Sequence, residues 1–253
     1  MGLLLRNLFI SFPGILVVTI VTGTASLIAS LFAKTGRTQH RCSRLWARGL
    51  LAVSGVKLKV EGADHIPPGG IFVFVANHRT YLDAAIMLAA LDTQFRFFAK
   101  SSVFWWPIIG FHLRRSGHMP VHYTNPQKSL KSMSAAARVI QQRNVSVLVF
   151  PEAERTEGIL QPFKDGAAYV AIKAGVPVLP IGLIGNREVM PVGAALIRPG
   201  TVHIKVGHPI PTLDLTLRDR TRLTQTMWVR IADIIGWPVP EDLRESVEAT
   251  PVA

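Results

Sequence analysis

The segment Asn77-His78-Arg79-Thr80-Tyr81-Leu82-Asp83 sets an imidazole five residues before a carboxylate. An Asp held on the Nδ1–H of a histidine fixes the tautomer and stabilises the imidazolium that forms when Nε2 takes a proton. Such a pair can deprotonate a substrate hydroxyl directly, with no serine to be acylated. Along a continuous helix, five residues turn about 500°, some 140° away from a shared face. His78 must therefore sit before or within the first helical turn for its ring to fold back onto Asp83. A second polar cluster, Pro151-Glu152-Ala153-Glu154-Arg155, offers a guanidinium suited to bidentate contact with phosphate. Glu152 beside it can orient a hydroxyl.

Both clusters follow short apolar runs. Ile71 to Ala76 and Ser146 to Phe150 are continuous apolar, β-branched and aromatic stretches, as in strands buried on both faces. Polar groups just beyond such strands belong where open α/β sheets gather their sites, at the strands' carboxyl ends. The alternation Val56-Lys57-Leu58-Lys59-Val60 predicts a half-buried strand, and further strands are expected at 95–99, 176–184 and 201–206. Helices are expected at 80–91, 126–143, 165–174 and 217–235, the third closed by Gly175. This alternation predicts an α/β fold: a mixed, mostly parallel sheet flanked by helices, with an N-terminal membrane-associated helix. The expected organisation is an N-terminal membrane helix and basic interfacial helix over 1–54, the main domain over 55–237, and a loose tail over 238–253. Val176-Pro177-Val178-Leu179-Pro180-Ile181 carries no chemistry; it fills the core or lines an apolar site.

The stretch from Leu8 to Ala33 contains no charged residue. At about 1.5 Å per residue it can cross a hydrocarbon core of roughly 30 Å with some tilt. Pro13 and Gly14 near its start leave a kinked or re-entrant helix open as well. Lys34, Arg37, Arg41, Arg44 and Arg48 follow it, and no acid appears before Glu61. The positive-inside bias then puts the main domain on the cytoplasmic face, at the inner membrane. Leu45, Trp46, Leu50 and Leu51 recur at helical spacing among these arginines, as in a helix lying on anionic headgroups.

Composition agrees with a lipid surface. Of 253 residues, 49% are hydrophobic and only 17% charged, low for a freely soluble chain. The net charge of +12 calls for an anionic partner. Zinc-finger spacing, RNA-binding aromatic signatures and a helix-turn-helix pattern are missing from the sequence, so a phospholipid surface is expected and nucleic acid is not. The single cysteine, Cys42, excludes an internal disulfide. His112, His118 and His122 have no tight spacing with carboxylates, so they read as polar loop residues and no metal site is expected.

Taken together, the segments resemble the glycerophospholipid acyltransferase superfamily, of the bacterial 1-acylglycerol-3-phosphate acyltransferase type, from roughly Arg44 to Pro211. The family's Asn-His-x4-Asp motif matches at Asn77, His78 and Asp83. Its Phe-Pro-Glu-Gly-x-Arg motif matches at Phe150, Pro151, Glu152 and Arg155, and its apolar, proline-bearing strand at Val176 to Ile181. Lys100 and Lys164 stand in matching context. The resemblance implies an O-acyltransferase that passes a fatty-acyl group from acyl-CoA or acyl carrier protein to the free hydroxyl of lysophosphatidic acid. No cofactor is implied beyond the thioester co-substrate. His78 would be the general base and Asp83 its orienting group. Asn77, Glu152, Arg155, Lys100 and Lys164 would serve substrate binding, Arg155 through the acceptor phosphate.

Two positions depart from the family pattern. Ala153 stands where the family has Gly, which suits a close turn only if its φ is negative. Tyr123 stands where the family has a phosphate-contacting Arg. Either Arg114 or Arg115 replaces that charge, or the acceptor is another lysolipid, such as a lyso-ornithine lipid. A non-catalytic lipid-binding protein is the remaining reading, and the joint presence of His78 and Asp83 weighs against it.

Overall fold

The computed structural model describes residues 2–33, 35–122, 125–155 and 158–249. Gly2–Arg6 (α1), a π-helical turn at Asn7–Ser11 and Phe12–Phe32 (α2) form one continuous rod. It turns back into α3 (Arg37–Ser54). The two helices run antiparallel at close range. A Cβ on Gly49 would come within 2.8 Å of Val18, so glycine is what allows this approach. Trp46 Nε1 donates to Thr19 Oγ1 at 3.0 Å across the same seam.

The rod is long and apolar enough to cross a membrane, yet it is tied to the rest of the molecule at both ends. The Asn7 amide donates to the Ile197 carbonyl at 2.9 Å and accepts from the Ile197 N–H at 3.0 Å. Near the other end, Ser26 Oγ meets His112 Nδ1 at 2.7 Å, and Arg115 donates to the Ser30 carbonyl. These anchors are 23 residues apart, about 35 Å of helix. A helix pinned along that length cannot stand upright in a bilayer while its domain stays in water. Its outer side shows Leu8, Phe9, Leu16, Ile20, Leu31 and Phe32, all more than half exposed.

The main domain is a seven-stranded sheet in the order β1-β7-β6-β2-β5-β3-β4. The strands are β1 (Val56–Glu61), β2 (Val73–Ala76), β3 (Phe95–Lys100), β4 (Met119–Val121), β5 (Ser146–Val149), β6 (Val178–Ile184) and β7 (Gly200–Val206). The five from β6 to β4 are mutually parallel; β7 runs antiparallel to β6, with β1 parallel to β7. Phe72, Phe74 and Ala76 point to one face, where they meet α3 and α4 (Asp83–Ala90). Val73 and Val75 point to the other. That face is covered by α6 (Pro126–Arg143), α7 (Gly166–Ala174) and α9 (Arg220–Ile235). Burial on both sides is why β2 and β5 read as unbroken apolar runs.

Three elements differ from expectation. Pro107–Ser116 (α5) is a helix leading into β4, so His112 is helical; His118 stays in the short connection between them, but it is buried and its Nδ1 accepts from Phe97 N–H at 3.2 Å. A short helix, α8 (Asn186–Val189), follows β6. The described part of the segment after Pro238 is helical and packed. Glu241–Ala249 forms α10, with acids in its first turn, Val247 buried, and Arg244 Nη2 paired to Asp233 Oδ1 at 2.6 Å.

Candidate active site

Because β6, β2, β5 and β3 are parallel neighbours, their carboxyl ends open onto one edge of the sheet. His78 follows β2, Phe150 to Arg155 follow β5, Asn186 follows β6, and Lys100 ends β3. The edge is thus built from residues distant in sequence.

At its centre, His78 Nδ1 lies 2.9 Å from Asp83 Oδ2. The chain reaches this geometry by the route the spacing requires: His78 precedes α4, and Asp83 is that helix's first residue. Asp83 is fully buried and every approach to it is a donor. Oδ2 also accepts the N–H groups of Arg79 at 2.6 Å and Thr80 at 2.8 Å. Oδ1 accepts from Thr80 Oγ1 at 2.7 Å and from Asn186 Nδ2 at 2.8 Å.

On the other side of the ring, Arg155 Nη1 lies 3.1 Å from His78 Nε2. A guanidinium can only donate. Nε2 is therefore an acceptor, and the proton is on Nδ1 facing Asp83. The imidazole stacks on Phe150, ring centroids 4.3 Å apart at 19°, which sets its plane. Arg155 itself lies over the Tyr81 ring at 4.1 Å, with its remaining donors toward solvent. The outcome is a base with its lone pair presented beside a fixed positive charge.

The other residues expected to bind substrate divide. Lys100 and Lys164 are exposed at this edge, and Lys164 N–H donates to the Pro151 carbonyl at 3.0 Å. Glu152 is not directed at a ligand. It is buried, and its carboxylate accepts from the backbone of His78 at 2.6 Å and of Gln161 at 3.0 Å, clamping the two loops together. Burial pushes its pKa up, opposed by these hydrogen bonds. Asn77 is likewise turned inward, its amide exchanging hydrogen bonds of 3.0 and 2.7 Å with the backbone of Leu183 on β6. Arg114 and Arg115 lie on α5, where they donate to the carbonyls of Phe104 and Ser30. Tyr123 lies outside the described residues. Ala153 adopts φ +63°, the left-handed region, so the turn keeps the glycine conformation without the glycine. Asn186 and Thr80, both bonded to Asp83, were not singled out from sequence. The one available signal was Gly185-Asn186 at a strand's carboxyl end.

A buried carboxylate–imidazole pair at the carboxyl edge of a mixed α/β sheet, with an arginine beside the free ring nitrogen, is an arrangement able to activate a hydroxyl. The acyltransferase family model matches residues 57–184, a span containing every group just described except Asn186, and the chain belongs to that family of O-acyltransferases. It is similar to the 1-acyl-sn-glycerol-3-phosphate acyltransferase of Limnanthes douglasii, 28% identical over 88% of this chain and 81% of that protein. A relative in Chlamydomonas reinhardtii is 36% identical over 68% of this chain and 52% of its own length. Human 1-acyl-sn-glycerol-3-phosphate acyltransferase alpha is 30% identical over 66% of this chain and 62% of its own. The chain thus spans about half to four-fifths of these relatives. The crystal structure of the 1-acyl-sn-glycerophosphate acyltransferase of Thermotoga maritima shares the fold, with a TM-score of 0.76 at 22% identity over 93% of this chain and 96% of that one.

Proposed function

We propose that the protein transfers a fatty-acyl group from a thioester of coenzyme A or acyl carrier protein to the free hydroxyl of 1-acyl-sn-glycerol 3-phosphate, giving phosphatidic acid. The observation that carries this reading is Arg155 3.1 Å from the basic nitrogen of His78, a phosphate-binding group and a base side by side. The acceptor phosphate draws Arg155 off Nε2 and brings its own hydroxyl to that nitrogen. Nε2 takes the hydroxyl proton as the oxygen attacks the thioester carbonyl. The tetrahedral intermediate then expels the thiolate, breaking the C–S bond, and the imidazolium returns the proton to sulfur. An ester and a free thiol result. Asp83 stabilises the imidazolium throughout, and Lys100 and Lys164 supplement Arg155 around the phosphate.

The α1–α2 rod supports a membrane location. Tied along the domain with its apolar side outward, it suits embedding in one leaflet parallel to the surface, with the cytoplasmic leaflet of the inner membrane as the proposed site. The test is incubation with labelled acyl-CoA or acyl carrier protein and a panel of lysolipids, with products identified by mass. Phosphatidic acid is expected, and His78→Ala abolishes it while the protein stays folded. Transfer to a phosphate-free lysolipid with none to lysophosphatidic acid would overturn the assignment.

A further inference from the structure

The opposite edge of the sheet holds a basic cavity of about 520 Å³, a size typical of small-molecule sites. It is lined by residues preceding three adjacent parallel strands: Gly70 and Ile71 before β2, Gln94 before β3 and Asn144 before β5. From Ile71 to His78 the chain advances about 20 Å at roughly 3.3 Å per residue, so this cavity is separate from the catalytic edge.

Its wall is the first half of α3. Arg37, His40, Arg41 and Arg44 recur at intervals that bring them onto one helical face, and all four line the cavity. The N-cap of α3, Gly36, has no side chain to cap the helix, and Thr35 Oγ1 accepts from Arg37 N–H at 3.4 Å at its positive end. One acid, Asp92, lines the same space, with Oδ1 2.5 Å from Arg44 Nη1; its side chain is 90% exposed and free to swing outward. That leaves three guanidinium groups to one carboxylate.

Independent of charge, buried polar atoms here lack partners. Arg44 Nε and Nη2 are enclosed with no hydrogen bond, and so is Nδ1 of His40, a residue only 3% exposed. His40 Nε2 is engaged with the Thr93 carbonyl at 3.2 Å. Unsatisfied buried donors are costly and rare in native structures. The Arg44 guanidinium belongs to the cavity lining, and a rotation brings its unpaired N–H groups onto an anion held there; His40 Nδ1, an acceptor because Nε2 donates to Thr93, takes no part.

We propose that this cavity binds a phosphate group, carried either by an anionic phospholipid headgroup or by a soluble phosphoester. Arg44 supplies the enclosed donors, Arg37 and Arg41 close over the anion from the rim, and Asp92 opposes binding until displaced. The apolar side of α2 and the arginines of α3 belong to one antiparallel hairpin, which brings the cavity close to the proposed membrane surface.

The test uses the full chain carrying Arg155→Ala, which removes the catalytic-edge phosphate ligand. Glycerol 3-phosphate is titrated by calorimetry, and flotation is measured with phosphatidylglycerol and with phosphatidylcholine vesicles. Arg44→Gln and Arg41→Gln are expected to weaken binding about tenfold or more, whereas Asp92→Asn tightens it severalfold. Because Asp92→Asn acts in the opposite direction on an exposed residue, it keeps the test decisive if Arg44→Gln fails to fold. Losses confined to phosphatidylglycerol vesicles assign the headgroup, and losses confined to glycerol 3-phosphate assign a soluble phosphoester; both support the site. Binding that none of the three substitutions changes, in either arm, overturns it.

Discussion

The most direct probe of the mechanism is Asp83→Asn. Three N–H groups, from His78, Arg79 and Thr80, face Oδ2, so the asparagine carbonyl must take that position. Its amide then replaces Oδ1, against Thr80 Oγ1, which can rotate, and Asn186, which can flip to present its oxygen. The fold, the ring orientation and the tautomer therefore survive, and only the charge is lost. That charge acts when His78 becomes an imidazolium. With about 4 Å between charge centres and an effective dielectric near 20, the lost attraction is about 4 kcal/mol. At 1.36 kcal/mol per decade, kcat falls about a thousandfold. KM for the acceptor stays within about twofold, because the ground-state ring is neutral. Steady-state transfer with circular dichroism as a folding control measures this. A kcat within tenfold of the parent would show that no imidazolium forms against Asp83, and the general-base assignment would fall.

Other outcomes follow from neighbouring features. Asn186→Ala removes one of five donors to Asp83 and should lower kcat about tenfold with KM unchanged; an effect on KM alone would contradict a positioning role. Ala153→Gly relieves a left-handed alanine, a gain of about 1–2 kcal/mol partly offset by glycine's unfolded-state entropy; a Tm raised by about 1–3 °C is expected by thermal unfolding. The buried histidines make stability pH-dependent. Burial, helped by Arg96 and Arg44, holds His40 down at about 4, and burial lowers His112 and His118 as well. Unfolded imidazoles titrate near 6.5, so between about 6.5 and 4 the unfolded chain binds more protons and stability falls as the pH drops. His40 alone contributes about 3 kcal/mol over that interval. Urea midpoints at pH 7.5 and pH 5 should differ accordingly, and equal midpoints would refute the assignment.

The strands were legible because parallel strands covered on both faces leave an unbroken apolar signature, and because polar residues immediately after β2 and β5 marked their carboxyl ends. The His78–Asp83 contact was legible for a local reason, since both belong to one strand-to-helix turn. Glu152 was not. Its partner is the backbone of a residue 74 positions away, and nothing in a sequence distinguishes a carboxylate that clamps loops from one that faces a substrate. The surroundings of Arg114 and Arg115 were not legible either: α5 turns one toward the Phe104 carbonyl and the other against α2. His112 is half-buried against Ser26 of α2 and Ser43 of α3, and His118 is buried against Phe97 of β3, contacts that local polarity could not reveal. The α10 helix did leave a trace, Glu241 and Asp242 just after two prolines, a start signal overlooked beside its distance from the core.

The proposed in-plane placement of the amino-terminal rod would also change what concentration means for this enzyme. A catalyst held in the plane of a leaflet meets its lysolipid by lateral diffusion, so saturation depends on the acceptor's share of surface molecules. Diluting vesicles with buffer leaves turnover per enzyme unaltered, whereas diluting the acceptor with inert lipid lowers it. The proposed thioester donor, arriving from water, would keep an ordinary bulk dependence, so the two substrates of one reaction would be counted in different dimensions.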